Sequence, residues 1–244
     1  MTLVWGHRGA SGYAPENTLE AFQKAVDMNA DGVELDVQLS KDGELVVIHD
    51  ETLERVSGVK GWVKDFSLQE LKKLNVNLPH PEYACVKIPT LREVYELLKP
   101  TNLTINVEIK TGIVFYENIV EKVLELTKEM DMEERVIYSS FNHYTILEIQ
   151  KKNQNAKVGF LYADGPIDMP SYGEKYGVDA LHPALYNLQF PNFVKECREK
   201  NLDLNVWTVN EREHMEMVCK FGVNALITNY PDLGKEVVSQ YESN

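Results

Sequence analysis

The sequence predicts an α/β protein, a (β/α)8 TIM barrel with a small insertion after its second strand. Three observations carry that expectation. Strand-like and helix-like segments alternate along the chain and give eight β-then-α units, the number that closes such a barrel. The length, 244 residues, lies beside the ~250 typical of single barrels. A ninth strand-like segment, Leu45 to Ile48, follows its predecessor by a very short turn, whereas a parallel crossover needs about a dozen residues or more. It is therefore antiparallel and stands outside the parallel set. An open doubly wound sheet is the rival architecture, but no phosphate loop with GxGxxG spacing follows the first strand.

The elements follow in order. Leu3 to Gly6 is a first strand ending at His7-Arg8-Gly9. Asn17 is placed to cap a helix, with Glu20 closing a capping box, and Leu19, Phe22 and Val26 share one face of that helix. Gly32 to Leu39 is the second strand, and the Asp42-Gly43 turn sends the chain back through Leu45 to Ile48. Residues 51–88 break the rhythm and read as the insertion, with one short helix near Ser67 to Leu74 and a loop containing Pro79 and Pro81. The apolar stripe of that helix, Phe66, Leu68, Leu71 and Leu74, is expected to pack on the barrel mouth. Thr90 to Leu98 resumes as helix, and Leu103 to Ile109 is the next strand. Strands at Val136 to Ser139, Lys157 to Leu161, Asp179 to His182, Leu204 to Thr208 and Ala225 to Thr228 complete the count, each followed by a helix.

Composition narrows the function. With 43% hydrophobic and 26% charged residues the chain is globular, and residues 1–244 read as one domain. A net charge of -13 argues against a nucleic-acid backbone or an anionic membrane surface as partner. A small anionic substrate remains compatible, because a metal and a few cations reverse the local field. Cys85, Cys197 and Cys219 form no CxxC, no apolar run reaches spanning length, and strand-like sequence at Leu3 leaves no room for a signal peptide. A cytoplasmic location is expected, without membrane insertion; nothing in the sequence fixes an oligomeric state.

The candidate chemistry gathers at strand ends, where barrels of this type carry their active sites. Glu34 and Asp36 are two apart in one strand, so both point one way while Val33, Leu35 and Val37 point the other. Carboxylates are costly to bury unless paired or bound to metal. The hairpin returns His49-Asp50 toward them. Asn106, Glu108 and Lys110 share a face of the next strand, and His7 and Arg8 end the first. Three carboxylates without a Cys/His cluster suit one hard cation, Ca²⁺ or Mg²⁺; a salt-bridge network with Arg8 and Lys110 is the rival. Arg8 suits a phosphate or carboxylate. His7 and His49 can exchange protons near neutral pH, or serve as ligands or loop residues. His80, His143 and His214 default to the surface.

Three segments, HRGASGYAPENTLEAF, GVELDVQLSKDGELVVIHD and VEIK, resemble the signature segments of the glycerophosphodiester phosphodiesterases, and the resemblance runs on to NVWTVN and ALITNYP. It implies a (β/α)8 barrel with an insertion after the second strand. It implies a divalent cation on Glu34, Asp36 and Glu108, and a catalytic pair in His7 and His49. Arg8 and Lys110 would contact the phosphate, with His182 in LHP and Trp207 in NVWTVN as weaker substrate-binding matches. The implied reaction is hydrolysis of a small-molecule glycerophosphodiester to glycerol 3-phosphate and an alcohol. The rivals are a lyase stopping at a cyclic phosphate and a noncatalytic barrel that binds phosphodiesters or a protein partner.

Overall fold

Residues 2–243 are described by a computed structural model. In chain order the elements are β1 (Leu3–His7), α1 (Leu19–Asp27), β2 (Gly32–Leu39), β3 (Leu45–Val47), α2 (Glu54–Ser57), α3 (Leu68–Leu71), α4 (Leu91–Leu98), β4 (Thr104–Ile109), α5 (Ile119–Glu129), β5 (Val136–Ser140), α6 (His143–Lys152), β6 (Lys157–Tyr162), α7 (Met169–Tyr176), β7 (Ala180–Pro183), α8 (Phe193–Glu199), β8 (Asp203–Val206), α9 (Arg212–Phe221), β9 (Ala225–Thr228) and α10 (Pro231–Glu242). Strand β1 pairs in parallel with both β2 and β9, which closes eight parallel strands into a barrel. Strand β3 pairs with the far end of β2 and antiparallel to it, Val37 opposite Val47.

Alternation along the strands sorts the side chains. Val33, Leu35, Val37, Ile105, Val107 and Ile109 point outward and, with the helices, form the main core. Trp5, Ile137, Ala180, Ala225 and Ile227 fill the barrel's interior. Gly32 is required there, since a Cβ would lie 2.7 Å from the Trp5 ring. The β2–β3 turn holds because Gly43 takes the left-handed conformation (φ 81°) and the Ser40 hydroxyl accepts from the Glu44 N–H at 2.9 Å.

Two expectations are corrected. The cap of α1 is Thr18, whose hydroxyl accepts from the Ala21 N–H; Asn17 is buried, left-handed (φ 57°) and turned toward β2. The insertion helix α3 does not pack on the barrel mouth. Leu71 is fully buried in a separate cluster with Val46, Ile48, Leu53, Val56, Val63, Val76, Val86 and Ile88, and Phe66, Leu68 and Leu74 pack against it. Antiparallel β3 offers those apolar partners on the face that the barrel does not cover, and burial there satisfies the stripe. Among the described residues no helix is long and apolar enough to cross a membrane.

Candidate active site

Register brings the acids together. Across the β1–β2 pair His7 lies opposite Glu34, and across β2–β4 Glu34 lies opposite Asn106 and Asp36 opposite Glu108. One oxygen from each of Glu34, Asp36 and Glu108 lies within 4.8 Å of the others, and all three residues are buried. Arg8, left-handed at the end of β1 (φ 55°), aims its backbone N–H at Glu34 Oε2, 3.0 Å away. Its Nε sits 3.4 Å from Asp36 Oδ2, and its Nη1 donates to Glu16 at 2.8 Å. Lys110 lies just past β4, with Nζ 3.2 Å from Glu108 and 3.9 Å from Asp36 Oδ1. Asn17, unrecognised as a site residue in the sequence, clasps Asp36. Its Nδ2 donates to Oδ2 at 2.8 Å, and its Oδ1 accepts from the Asp36 N–H at 3.3 Å.

Burial and mutual repulsion perturb the acids of this cluster. Burial and the Asp36 charge push Glu34 well above the ordinary carboxylate range, against Arg8. The same two causes push Glu108 up to about 7, against Lys110. Burial also raises Asp36, but Arg8, His49, Lys110 and the Asn17 bond outweigh it and hold that carboxyl below its usual value. The buried Asp36 Oδ1 has no hydrogen-bond partner. Three converging carboxylates, one of them with an oxygen that no hydrogen bond satisfies, suit a hard divalent ion and could hold one.

The two histidines approach from different segments. His7 Nδ1 meets Asn229 Oδ1 at 2.7 Å, and its Nε2 lies 4.0 Å from Glu34. Burial, then Arg8, lowers this ring to about 4. His49 Nδ1 meets Asp50 Oδ1 at 2.6 Å. The bond from His49, then Arg55, holds Asp50 below its usual value despite burial. Arg55, from the insertion, donates to Asp50 through Nε at 2.6 Å and to both oxygens of Glu16 at 2.7 Å. A chain of charges thus runs from Arg8 through Glu16, Arg55 and Asp50 to His49.

A cavity of about 110 Å³ lies above the acids, lined by His7, Arg8, Glu34, His49, Asn106 and Glu108. Its other wall is apolar, made by Phe141, Leu161, Trp207 and Ile227. Trp207 and Phe141 meet edge to face at 5.6 Å. A larger groove of about 410 Å³ opens at the opposite end of the barrel, by Thr2, Asp203 and Asn224, and contains none of these groups. His182 does not line the site cavity. It is fully buried in the barrel beside the amides of Asn205 (3.1 Å) and Asn106 (3.5 Å), its carbonyl accepts from Trp207 Nε1 at 2.9 Å, and burial lowers its ring to about 3. His143, expected at the surface, is half-buried, its ring stacked on Phe160 at 4.1 Å.

Sequence reasoning missed Asn229, Glu16, Arg55 and the Asn17 contact. For Asn229 a signal existed, because Ala225, Ile227 and Asn229 alternate inward at the end of the last strand. The others depend on loops meeting in space.

A parallel barrel whose strand ends converge three acids that could hold a metal ion, an arginine and two histidines has the makings of an enzyme acting on an anionic ester. Residues 7–233 match the Glycerophosphoryl diester phosphodiesterase family, and the chain belongs to it. It is 45% identical to a glycerophosphodiester phosphodiesterase of Caldanaerobacter subterraneus subsp. tengcongensis, covering 95% of each chain. It is 34% identical to one of Bacillus subtilis, over 98% of this chain and 87% of the relative. Among solved structures, a glycerophosphodiester phosphodiesterase of Thermotoga maritima is 33% identical with a TM-score of 0.81, over 97% of this chain and 98% of that one. An Oleispira antarctica phosphodiesterase, in complex with the product sn-glycerol-3-phosphate, is 26% identical with a TM-score of 0.90, over 98% of this chain and 97% of that one.

Proposed function

We propose that this chain hydrolyses glycerophosphodiesters to glycerol 3-phosphate and an alcohol, with Glu34, Asp36 and Glu108 holding one divalent cation, Ca²⁺ or Mg²⁺. One observation carries the reading. Two imidazoles enter one cavity from different segments, each with Nδ1 fixed by an oxygen acceptor. That fixes the tautomer and presents Nε2 to a substrate above the acids. The family and the product held by the Oleispira relative support the substrate class.

The cation, when bound, supplies charge that stabilises the phosphoryl oxygens as negative charge builds on them. The protein's own groups do the rest. Arg8 and Lys110 offset the phosphate's charge and orient it. His7, kept neutral by burial, accepts at Nε2 the proton of the oxygen that bonds to phosphorus, either water or the neighbouring glycerol hydroxyl, whose attack gives a cyclic phosphate that one water then opens to glycerol 3-phosphate. The bond from phosphorus to the alcohol oxygen breaks, and that oxygen takes a proton from His49 Nε2. To act as the acid, His49 carries a proton on each ring nitrogen, and Asp50 Oδ1 accepts the one on Nδ1. Trp207 and Phe141 wall the apolar side of the substrate. His182 supports Asn106 and Trp207 from beneath, in place of the direct contact expected of it. One catalytic domain over residues 1–244, including the insertion at 51–88, accommodates this reading, since the site draws on segments from His7 to Asn229. The three free thiols favour a reducing compartment such as the cytoplasm.

The test is release of glycerol 3-phosphate from glycerophosphocholine, followed by ³¹P NMR, in chelator and with added Ca²⁺ or Mg²⁺. Cation-dependent release is expected. No release under any condition overturns the assignment, and accumulation of a cyclic phosphate assigns the lyase instead.

A further inference from the structure

We propose that Gln38 is a positioning residue for His49, fixing the backbone that carries this imidazole through a three-carbonyl clamp oriented by Tyr116. The proposal rests on the reading of His49 as a proton-transfer group. Gln38 follows Asp36 by two residues on the inward face of β2 and is completely buried. Strand β3 ends at Val47, so the carbonyls of residues 48–50 leave the sheet ladder as the chain turns toward the cavity. Buried carbonyls need donors. Gln38 Nε2 supplies all three, lying 3.0 Å from Ile48 O, 3.0 Å from His49 O and 2.9 Å from Asp50 O. An amide nitrogen has two hydrogens, so one is shared, and the three carbonyls must curl around a single atom. That curl places His49 and its partner Asp50.

The amide would be useless if flipped, since its oxygen would then face three other oxygens. Tyr116, in the loop between β4 and α5, prevents this by donating its hydroxyl to Gln38 Oε1 at 2.9 Å. Gln38 gives its amide to these three carbonyls and to Tyr116, and among the described residues no other side chain makes three hydrogen bonds to the segment bearing His49. Displacements of about 1 Å at reacting groups cost up to about 10²-fold in rate, so the clamp is placed to govern turnover while leaving substrate binding alone.

The experiment is a double-mutant cycle read in kcat and KM for glycerophosphocholine, with added cation. Gln38→Met keeps the volume and removes the clamp. It is expected to lower kcat by about 10- to 10²-fold with KM nearly unchanged, and Tyr116→Phe to act in the same direction more weakly. On a His49→Ala background, Gln38→Met should cost less than about twofold, because there is no imidazole left to position. A loss there as large as in the parent means a general structural role and overturns the proposal. So does a folded Gln38→Met protein with parental kcat. If Gln38→Met does not fold, Tyr116→Phe is put through the same cycle, and a parental kcat in that variant overturns the proposal. If His49→Ala itself keeps parental kcat, the role of His49 fails, and this inference fails with it. An impaired His49→Ala beside an unimpaired Gln38→Met removes this inference alone.

Discussion

Replacing Glu108 by Gln is expected to stabilise the cation-free protein at alkaline pH while weakening its hold on the cation. The two effects have one cause. In the metal-free site, burial and the Asp36 charge lift the Glu108 carboxyl from 4.5 to about 7. Below 4.5 the group is protonated in the folded and unfolded chain alike. Between 4.5 and about 7 the unfolded chain releases its proton and the folded chain keeps it, so stability falls as pH rises. At about 1.4 kcal/mol per pH unit of displacement, the loss above pH 7 is about 3 kcal/mol. An unfolding entropy of ~2.1 cal/mol/K per residue gives about 0.5 kcal/mol/K for a chain this long, so the loss is worth about 6 °C in Tm. Gln38 and its neighbours are untouched, and the amide fills nearly the same volume. Differential scanning calorimetry in chelator, from pH 5 to 8, should show a parental Tm that drops relative to Glu108→Gln by about that amount. Saturating Ca²⁺ or Mg²⁺ should reverse the ranking, and titration calorimetry should show cation affinity weakened by more than the about 10- to 100-fold that even outer partners of a ligand command. Parallel Tm curves in chelator, with unchanged cation affinity, would refute the placement of Glu108 in a strained acid cluster.

Three further outcomes are expected. His7→Ala and His49→Ala should each reduce kcat by about 10²- to 10⁴-fold, and a nitrophenolate leaving group should rescue the His49 variant preferentially; equal rescue of both contradicts the acid and base roles assigned. Arg55→Ala removes the bonds to Asp50 and Glu16, so kcat should fall by roughly tenfold for want of a fixed His49, with little change in Tm because the arginine is exposed; parental kcat shows that its ion pairs are ornamental to catalysis. Replacing Ser67 to Pro81 by a Gly/Ser linker should change the ranking of choline, ethanolamine and glycerol diesters, since His80 and Tyr83 of the insertion and its end bond the Ser11 and Tyr13 carbonyls beside the site; an unaltered ranking in the folded variant excludes the insertion from headgroup selection.

Much of this site was legible because it is written in local periodicity. A strand repeats every two residues, so Glu34 and Asp36 had to share a face wherever β2 lay, and the short turn at Asp42-Gly43 had to bring His49 back antiparallel. The count of β-then-α units then set the barrel, and the barrel set the end at which function lies. Tertiary structure decided what periodicity does not encode. The register between β2 and β4 set Asp36 opposite Glu108. Closure of β1 onto β9 brought Asn229 to His7 across 222 residues of chain. The left-handed turn at Asn17 converted an expected helix cap into a clasp on Asp36. The apolar stripe of α3 found β3 instead of the barrel mouth, because an amphipathic face specifies that it must be buried and not against what. His182, polar and at a strand end, belongs to the barrel's interior, where its two asparagine neighbours come from β4 and β8. Each of these outcomes depends on contacts between segments distant in sequence, whose geometry exists only once the sheet has closed.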